Sequence, residues 1–109
     1  MNNFQIREAV SEDVPAILKL VKCLAEYVNL IHEVTAVEEL FKKNGFSQNQ
    51  YFNCLILENQ GKEAIGFALY FFNFSTFTGK PTLYLEDIFV LPEYRNKGLG
   101  KNCFKKLLK

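Results

Sequence analysis

Residues 83–101 read Leu83-Tyr84-Leu85-Glu86-Asp87-Ile88-Phe89-Val90-Leu91-Pro92-Glu93-Tyr94-Arg95-Asn96-Lys97-Gly98-Leu99-Gly100-Lys101. They open as an aromatic and aliphatic run, break at Leu91-Pro92, and pass two glycines into a segment whose apolar residues Leu99, Cys103, Phe104, Leu107 and Leu108 recur at helical spacing. A strand that runs into a glycine-spaced turn opening a helix leaves several backbone N–H groups free to face one anion. Gly98 and Gly100 suit that task because a side chain at either position would hold a phosphate away from the backbone. Within the strand, Glu86 and Asp87 place adjacent carboxylates in an apolar run, where an acid is costly unless it is solvated or paired. Neighbouring residues of a regular strand face opposite sides, so the two acids can serve one site only if a bulge intervenes.

Upstream, two β-rich runs over residues 51–58 and 64–72 flank Asn59-Gln60-Gly61-Lys62 and predict a hairpin. Gly66 inside the second run predicts a bulge or a close backbone approach. Thr78-Gly79-Lys80-Pro81 predicts the next turn, followed by the strand over about 82–90 and a final helix over about 98–109. Residues 4–9 predict a first strand. Ser11 is the expected cap of a helix with Glu12 and Asp13 in its first turn, Pro15 near its start, and the stripe Val14, Ile17, Leu18, Val21, Leu24, Ala25, Val28. Thr35-Ala36-Val37-Glu38 reads as a capping box for a second helix, with Gly45 as its left-handed end. Strand, helix, helix, strand, strand, strand, helix is the order of one α/β (α+β) domain over residues 1–109.

A chain of 109 residues with 49% hydrophobic content can bury a core of its own. Net charge of +1 gives no reason to expect nucleic acid or an anionic membrane as the main partner. The apolar runs are too short to span a membrane, and the first residues lack the pattern of a signal peptide, so a cytoplasmic protein is expected. Cys23, Cys54 and Cys103 are widely spaced and accompany a single histidine, His32, so they are read as reduced thiols and no metal site is expected. His32 is expected on the surface.

Arg95-x-x-Gly98-x-Gly100 resembles the acetyl-CoA signature of the GNAT superfamily of N-acetyltransferases: Arg or Gln, two residues, Gly, one residue, then Gly or Ala. Tyr84-Leu85-Glu86-Asp87, Gly45-Phe46, Gly66-Phe67-Ala68 and the opening Ile6-Arg7 are similar to its spermidine/spermine (diamine) branch, and the likeness runs through almost the whole chain. The resemblance implies the N-terminal part of the acyl-CoA N-acyltransferase (GNAT) fold, a mixed, mostly antiparallel sheet flanked by helices, with acetyl-CoA as co-substrate and transfer of its acetyl group to a small cationic amine, whether polyamine, diamine or lysine-like. It assigns cofactor contacts to Arg95, Asn96, Lys97, Gly98, Leu99, Gly100 and Lys101 at the pyrophosphate, and to Ile88, Phe89 and Val90 along the pantetheine arm. Glu86 is the implied proton acceptor and substrate ligand, beside Asp87, and the fourth strand of this family usually carries a bulge. Tyr27 and Val28 fall on positions that line the amine pocket, with Val28 standing where the branch has an acid, which argues against long polyamines. Phe77 falls on an aromatic position of the branch and is expected to pack on the core.

The same family continues beyond this point of the fold with a splayed strand and a helix bearing a tyrosine acid, neither of which matches any part of residues 1–109. The resemblance therefore also admits a second expectation, a catalytically poor CoA-binding relative that needs a partner chain. An exposed fourth strand and a sheet rich in phenylalanine, 11 of 109 residues, make a homodimer the expected assembly. An interaction domain without CoA affinity would require the turn signature to be accidental.

Overall fold

The computed structural model describes residues 4–95; the turn over 96–101 and the helix expected over 98–109 lie outside the described residues. Strand β1 (Gln5–Glu8) leads through a 3-10 turn (Ser11–Asp13) into helix α1 (Val14–Tyr27). A second 3-10 turn (Ile31–Glu33) precedes helix α2 (Glu38–Gly45). Strands β2 (Asn53–Glu58), β3 (Ala64–Ser75) and β4 (Lys80–Val90) follow, and a third 3-10 turn (Pro92–Tyr94) leaves the sheet. The strands pair antiparallel in the order β1-β2-β3-β4, so β4 lies at an edge among the described residues.

Alternation decides which face of the sheet receives α1. Cys54 and Ile56 on β2, Phe67 on β3 and Phe89 on β4 meet Ile17 and Leu20 of α1 in one buried cluster, with Val21, Cys23 and Leu24 packed on its margin. Burial of a side chain such as Ile17 or Phe67 contributes about 1.5–3 kcal/mol. On the opposite face, Leu57 and Ile65 pack with Phe4, Ile6, Val90 and Tyr94. The helical stripe is borne out from Val14 to Ala25 and ends there, since Val28 is half exposed just past the helix.

Neither helix starts as the sequence suggests. Ser11 lies in the 3-10 turn rather than capping α1; Asp13 stands at the α1 cap, and its carboxylate bonds no N–H of that helix but accepts the N–H of Val10 at 2.7 Å. Arg7 explains the shift: its two Nη groups each donate to an Asp13 oxygen at 2.7 Å, and Nη2 also reaches Glu58 at 2.9 Å, so one guanidinium ties β1, the α1 entry and β2 together. Thr35 forms no capping box, because α2 begins two residues later with Val37 at its cap and no side chain bonded there.

Gly45 is not left-handed either; among the described glycines only Gly79 has a positive φ, 70°. Space is what Gly45 supplies, since a Cβ there would overlap the Phe52 ring, itself set edge-on to Phe41 and Phe46 at 5.8 and 5.9 Å. The Asn59–Lys62 turn forms as expected, with Lys62 donating to the Asn59 carbonyl at 2.9 Å. The second hairpin is longer than expected: β3 runs on to Ser75 and β4 starts at Lys80, which extends the pair past the core. Phe77 at its tip is 97% exposed and so packs on neither core cluster, contrary to expectation.

Candidate active site

Two irregularities in the ladder shape the edge at β4. Opposite β2, Leu57 pairs with Gly66 and Glu58 with Ala64, so Ile65 is an extra residue of β3. Opposite β3, Asp87 pairs with Leu69 and Leu85 with Tyr70, so Glu86 is an extra residue of β4. A bulge re-aims the side chains around it. Leu85 and Asp87, which strict alternation would leave on one face, now pair with residues of opposite faces, and Glu86 sits at the switch. Beyond the bulge the alternation is regular, so Asp87 shares the α1 side of the sheet with Phe89, about 7 Å further along the strand.

Asp87 senses its surroundings. Burial raises the Asp87 carboxyl above its ordinary range, and the neighbouring Glu86 charge pushes it further in the same direction. Asp87 is half-buried whereas Glu86 is exposed, so the pair presents one solvated and one partly desolvated oxygen donor set at the same bend. Such a pair attracts a cation and stands ready to accept a proton.

The backbone past the acids is available at the edge. Leu91 donates its N–H to the Ile65 carbonyl at 2.9 Å, which fixes residue 91 as facing β3. Alternation then turns residues 88 and 90 outward, and the Val90 carbonyl does accept from outside the ladder, from Nε of Arg95 at 2.9 Å. Ile88 can thus offer its N–H and C=O, and Val90 its N–H, to an extended ligand, while Phe89 is buried in the core and anchors the strand. Gly66 keeps β3 close behind them, since a Cβ there would lie 2.7 Å from the Phe89 carbonyl oxygen.

Arg95 gathers residues that sequence reasoning placed separately. Its guanidinium carbon lies 4.4 Å from the Tyr27 ring centroid and 5.2 Å from that of Phe89. Tyr27, the last residue of α1, is drawn to the end of β4 while remaining 62% exposed. Val28 follows as the helix cap, its N–H bonded to the Leu24 carbonyl. No periodicity marks this contact, because a cation resting on an aromatic ring leaves no spacing rule in the chain. Asn96, Lys97, Gly98, Leu99, Gly100 and Lys101 lie outside the described residues. Among the described residues no group of three or more His, Cys, Asp or Glu could hold a metal ion, and no helix is long and apolar enough to cross a membrane.

Residues 15–109 match the sequence profile of the Acetyltransferase (GNAT) family. The chain belongs to that family. It is 40% identical over 114 aligned residues to a thialysine N-epsilon-acetyltransferase of Mus musculus, covering 98% of this chain and 66% of that protein. A spermidine/spermine N(1)-acetyltransferase-like protein 1 of Homo sapiens is 42% identical, covering 98% of this chain and 16% of its own length. Among solved structures, an aminoglycoside acetyltransferase from an uncultured soil metagenome superposes with a TM-score of 0.80 at 17% identity, covering 97% of this chain and 68% of that one. A ribosomal-protein-alanine N-acetyltransferase of Brucella melitensis gives 0.75 at 17% identity, covering 96% and 69%. These likenesses establish the GNAT fold, and the chain spans about two thirds of the length of the mouse relative.

Proposed function

We propose that this chain acts in N-acetyl transfer from acetyl-CoA to the amino group of a small cationic amine. The observation that carries the reading is the bulge at Glu86, which sets two carboxylates at the bend of a strand that is at an edge among the described residues and from which Ile88 turns its backbone groups outward. The residues fit the cofactor: Ile88 and the N–H of Val90 face outward on a strand that is at an edge among the described residues, as pairing with the amides of a pantetheine arm requires. Arg95 and the N–H groups of the turn over 96–101 would hold the pyrophosphate. Bound acetyl-CoA supplies the thioester from which the acetyl group moves.

In this reading Asp87 and Glu86 hold the ammonium group of the substrate, and Glu86 accepts its proton so that the nitrogen lone pair is free to attack. An alkylammonium ion is almost fully protonated near pH 7, so a positioned base is needed for appreciable rate. Tyr27 and Val28 wall the amine site. With Val28 rather than an acid in that wall, a lysine-like amine is favoured over a long polyamine, in keeping with the thialysine acetyltransferase among the similar proteins.

A homodimer in the cytoplasm is part of the same proposal. Phe72, Phe74 and Phe77 lie exposed on the β3–β4 extension, which favours burial against a second copy. Cys23, a thiol in no disulfide, suits a reducing compartment. The test is calorimetric titration with CoA followed by an acetyl-transfer assay on thialysine, lysine and spermidine. CoA binding with transfer favours the enzyme, CoA binding without transfer favours a binding relative that needs a partner chain, and absence of CoA binding removes both.

A further inference from the structure

The bulge at Glu86 also decides where Tyr84 stands. Residues three apart on a regular strand lie on opposite faces, yet Asp87 pairs with Leu69 and Tyr84 with Phe71, two β3 residues in step with Phe67 of the core beneath α1. Tyr84 and Asp87 therefore share the α1 side of the sheet, whereas Tyr70 and Phe72 stand on the other side. Two residues of β3 separate the pairs, which roots the aromatic side chain about 7 Å along the sheet from the carboxylate. The ring is also held in place: Phe71 stacks on it with centroids 5.1 Å apart and planes 29° from parallel, while Tyr84 stays 48% exposed. An aromatic partner on one face leaves the other face, with its negative quadrupole, for a cation.

We propose that Tyr84, backed by Phe71, is a specificity-determining residue: its ring seats the second cationic nitrogen of the amine whose first nitrogen lies at Asp87 and Glu86. The proposal rests on the acetyl-transfer reading given above. Two nitrogens joined by four or five carbons in an extended, staggered chain lie about 6–7.5 Å apart, the spacing that separates the acid from the ring. Such a chain lays its methylenes along the α1 side of β4 and brings its second ammonium over Tyr84. A ring face sets no directional demand on the charge it holds, so the α-ammonium of a lysine-like amine is seated as readily as the far end of a diamine. A monoamine reaches the acids but leaves the ring unused.

The experiment is calorimetry on the full chain at saturating CoA, with butylamine, 4-aminobutanol, 1,4-diaminobutane and 1,5-diaminopentane titrated separately. Wild type should bind the two diamines at least about fivefold more tightly than butylamine, and 4-aminobutanol, which carries a hydroxyl in place of the second ammonium, should bind like butylamine. Tyr84→Phe keeps the ring face and should hold diamine affinity within about twofold of wild type. Tyr84→Leu, or Tyr84→Thr should the leucine variant not fold, should lower diamine affinity by about three- to tenfold and leave butylamine within about twofold. A merely structural role would weaken monoamine and diamine alike. Equal effects on butylamine and the diamines, or diamine affinity untouched by loss of the ring, would overturn the proposal and leave the acetyl-transfer reading standing. Failure of the CoA-saturated wild type to bind any of these amines would overturn that reading and this proposal with it.

Discussion

A Cβ added to Gly66 would lie 2.7 Å from the carbonyl oxygen of Phe89 and 3.3 Å from Cα of Val90. The glycine therefore sets how closely β3 backs the segment of β4 proposed to hold the cofactor. Because the obstacle is backbone, Gly66→Ala must push β4 outward and is expected to cost about 1–3 kcal/mol, the usual range for overpacking. Urea denaturation should show the loss as a lower midpoint at unchanged slope. A variant of wild-type stability would mean that β4 moves freely at this point.

The Arg7 clamp gives a pH dependence with a definite sign. Arg7 holds the Asp13 carboxyl below its ordinary value of 3.8, chiefly through its hydrogen bonds. A depressed carboxylate stabilises the fold above the unfolded value, and that contribution is lost as pH falls through the folded one. Asp13→Asn should cost about 2 kcal/mol at pH 7, the scale of a charged hydrogen bond, and the difference from wild type should shrink on acidification below about pH 4. Thermal melts of both proteins across pH 3–7 measure it.

Asp87 titrates with the opposite sign. Burial and the Glu86 charge raise its folded value above 3.8, so ionisation costs stability as pH rises above the unfolded value. Asp87→Asn is expected to melt higher than wild type at pH 7 and to match it below about pH 4. The same change should weaken amine binding, as expected where a site keeps a carboxylate at the expense of stability. A lower melting temperature at pH 7 would show that Asp87 is structural.

Most of the sheet was legible because its signals are local. Hydrophobic alternation, the Asn59–Lys62 turn and Gly66 each constrain the chain within a few residues of themselves, and the structure follows them. The start of α1 departs from the local signal because Ser11 is a good cap only locally, while Arg7 on β1 draws Asp13 to its guanidinium and holds Glu58 of β2 with the same group. Gly45 misled for a related reason, since its small size answers Phe52 and not the backbone angle. The acids at 86 and 87 were evident as an anomaly in an apolar run, and the need for a bulge followed from strand geometry. The contact of Arg95 with Tyr27 was not legible, because it joins the end of α1 to the end of β4 through a packing relation that no spacing records.

The β3–β4 extension predicts association. Phe72 and Phe74 are 58% and 67% exposed, and replacing such residues should change monomer stability by less than about 0.5 kcal/mol. Phe72→Thr combined with Phe74→Ser is expected to shift a dimer toward monomer at equal stability. Sedimentation velocity over a concentration series reads this directly, and an unchanged assembly would place any interface elsewhere.

The central claim is that the Glu86 bulge is where an amine loses its proton beside a bound thioester. Its most direct measurement is the single-turnover rate of acetyl transfer to thialysine across pH 6–9, compared between wild type and Glu86→Gln at saturating acetyl-CoA. The account predicts a rate lowered by about 10² or more in Glu86→Gln, partly recovered at high pH where free amine is abundant, with CoA affinity within a few fold of wild type. Equal rates and identical pH profiles for the two proteins would contradict it.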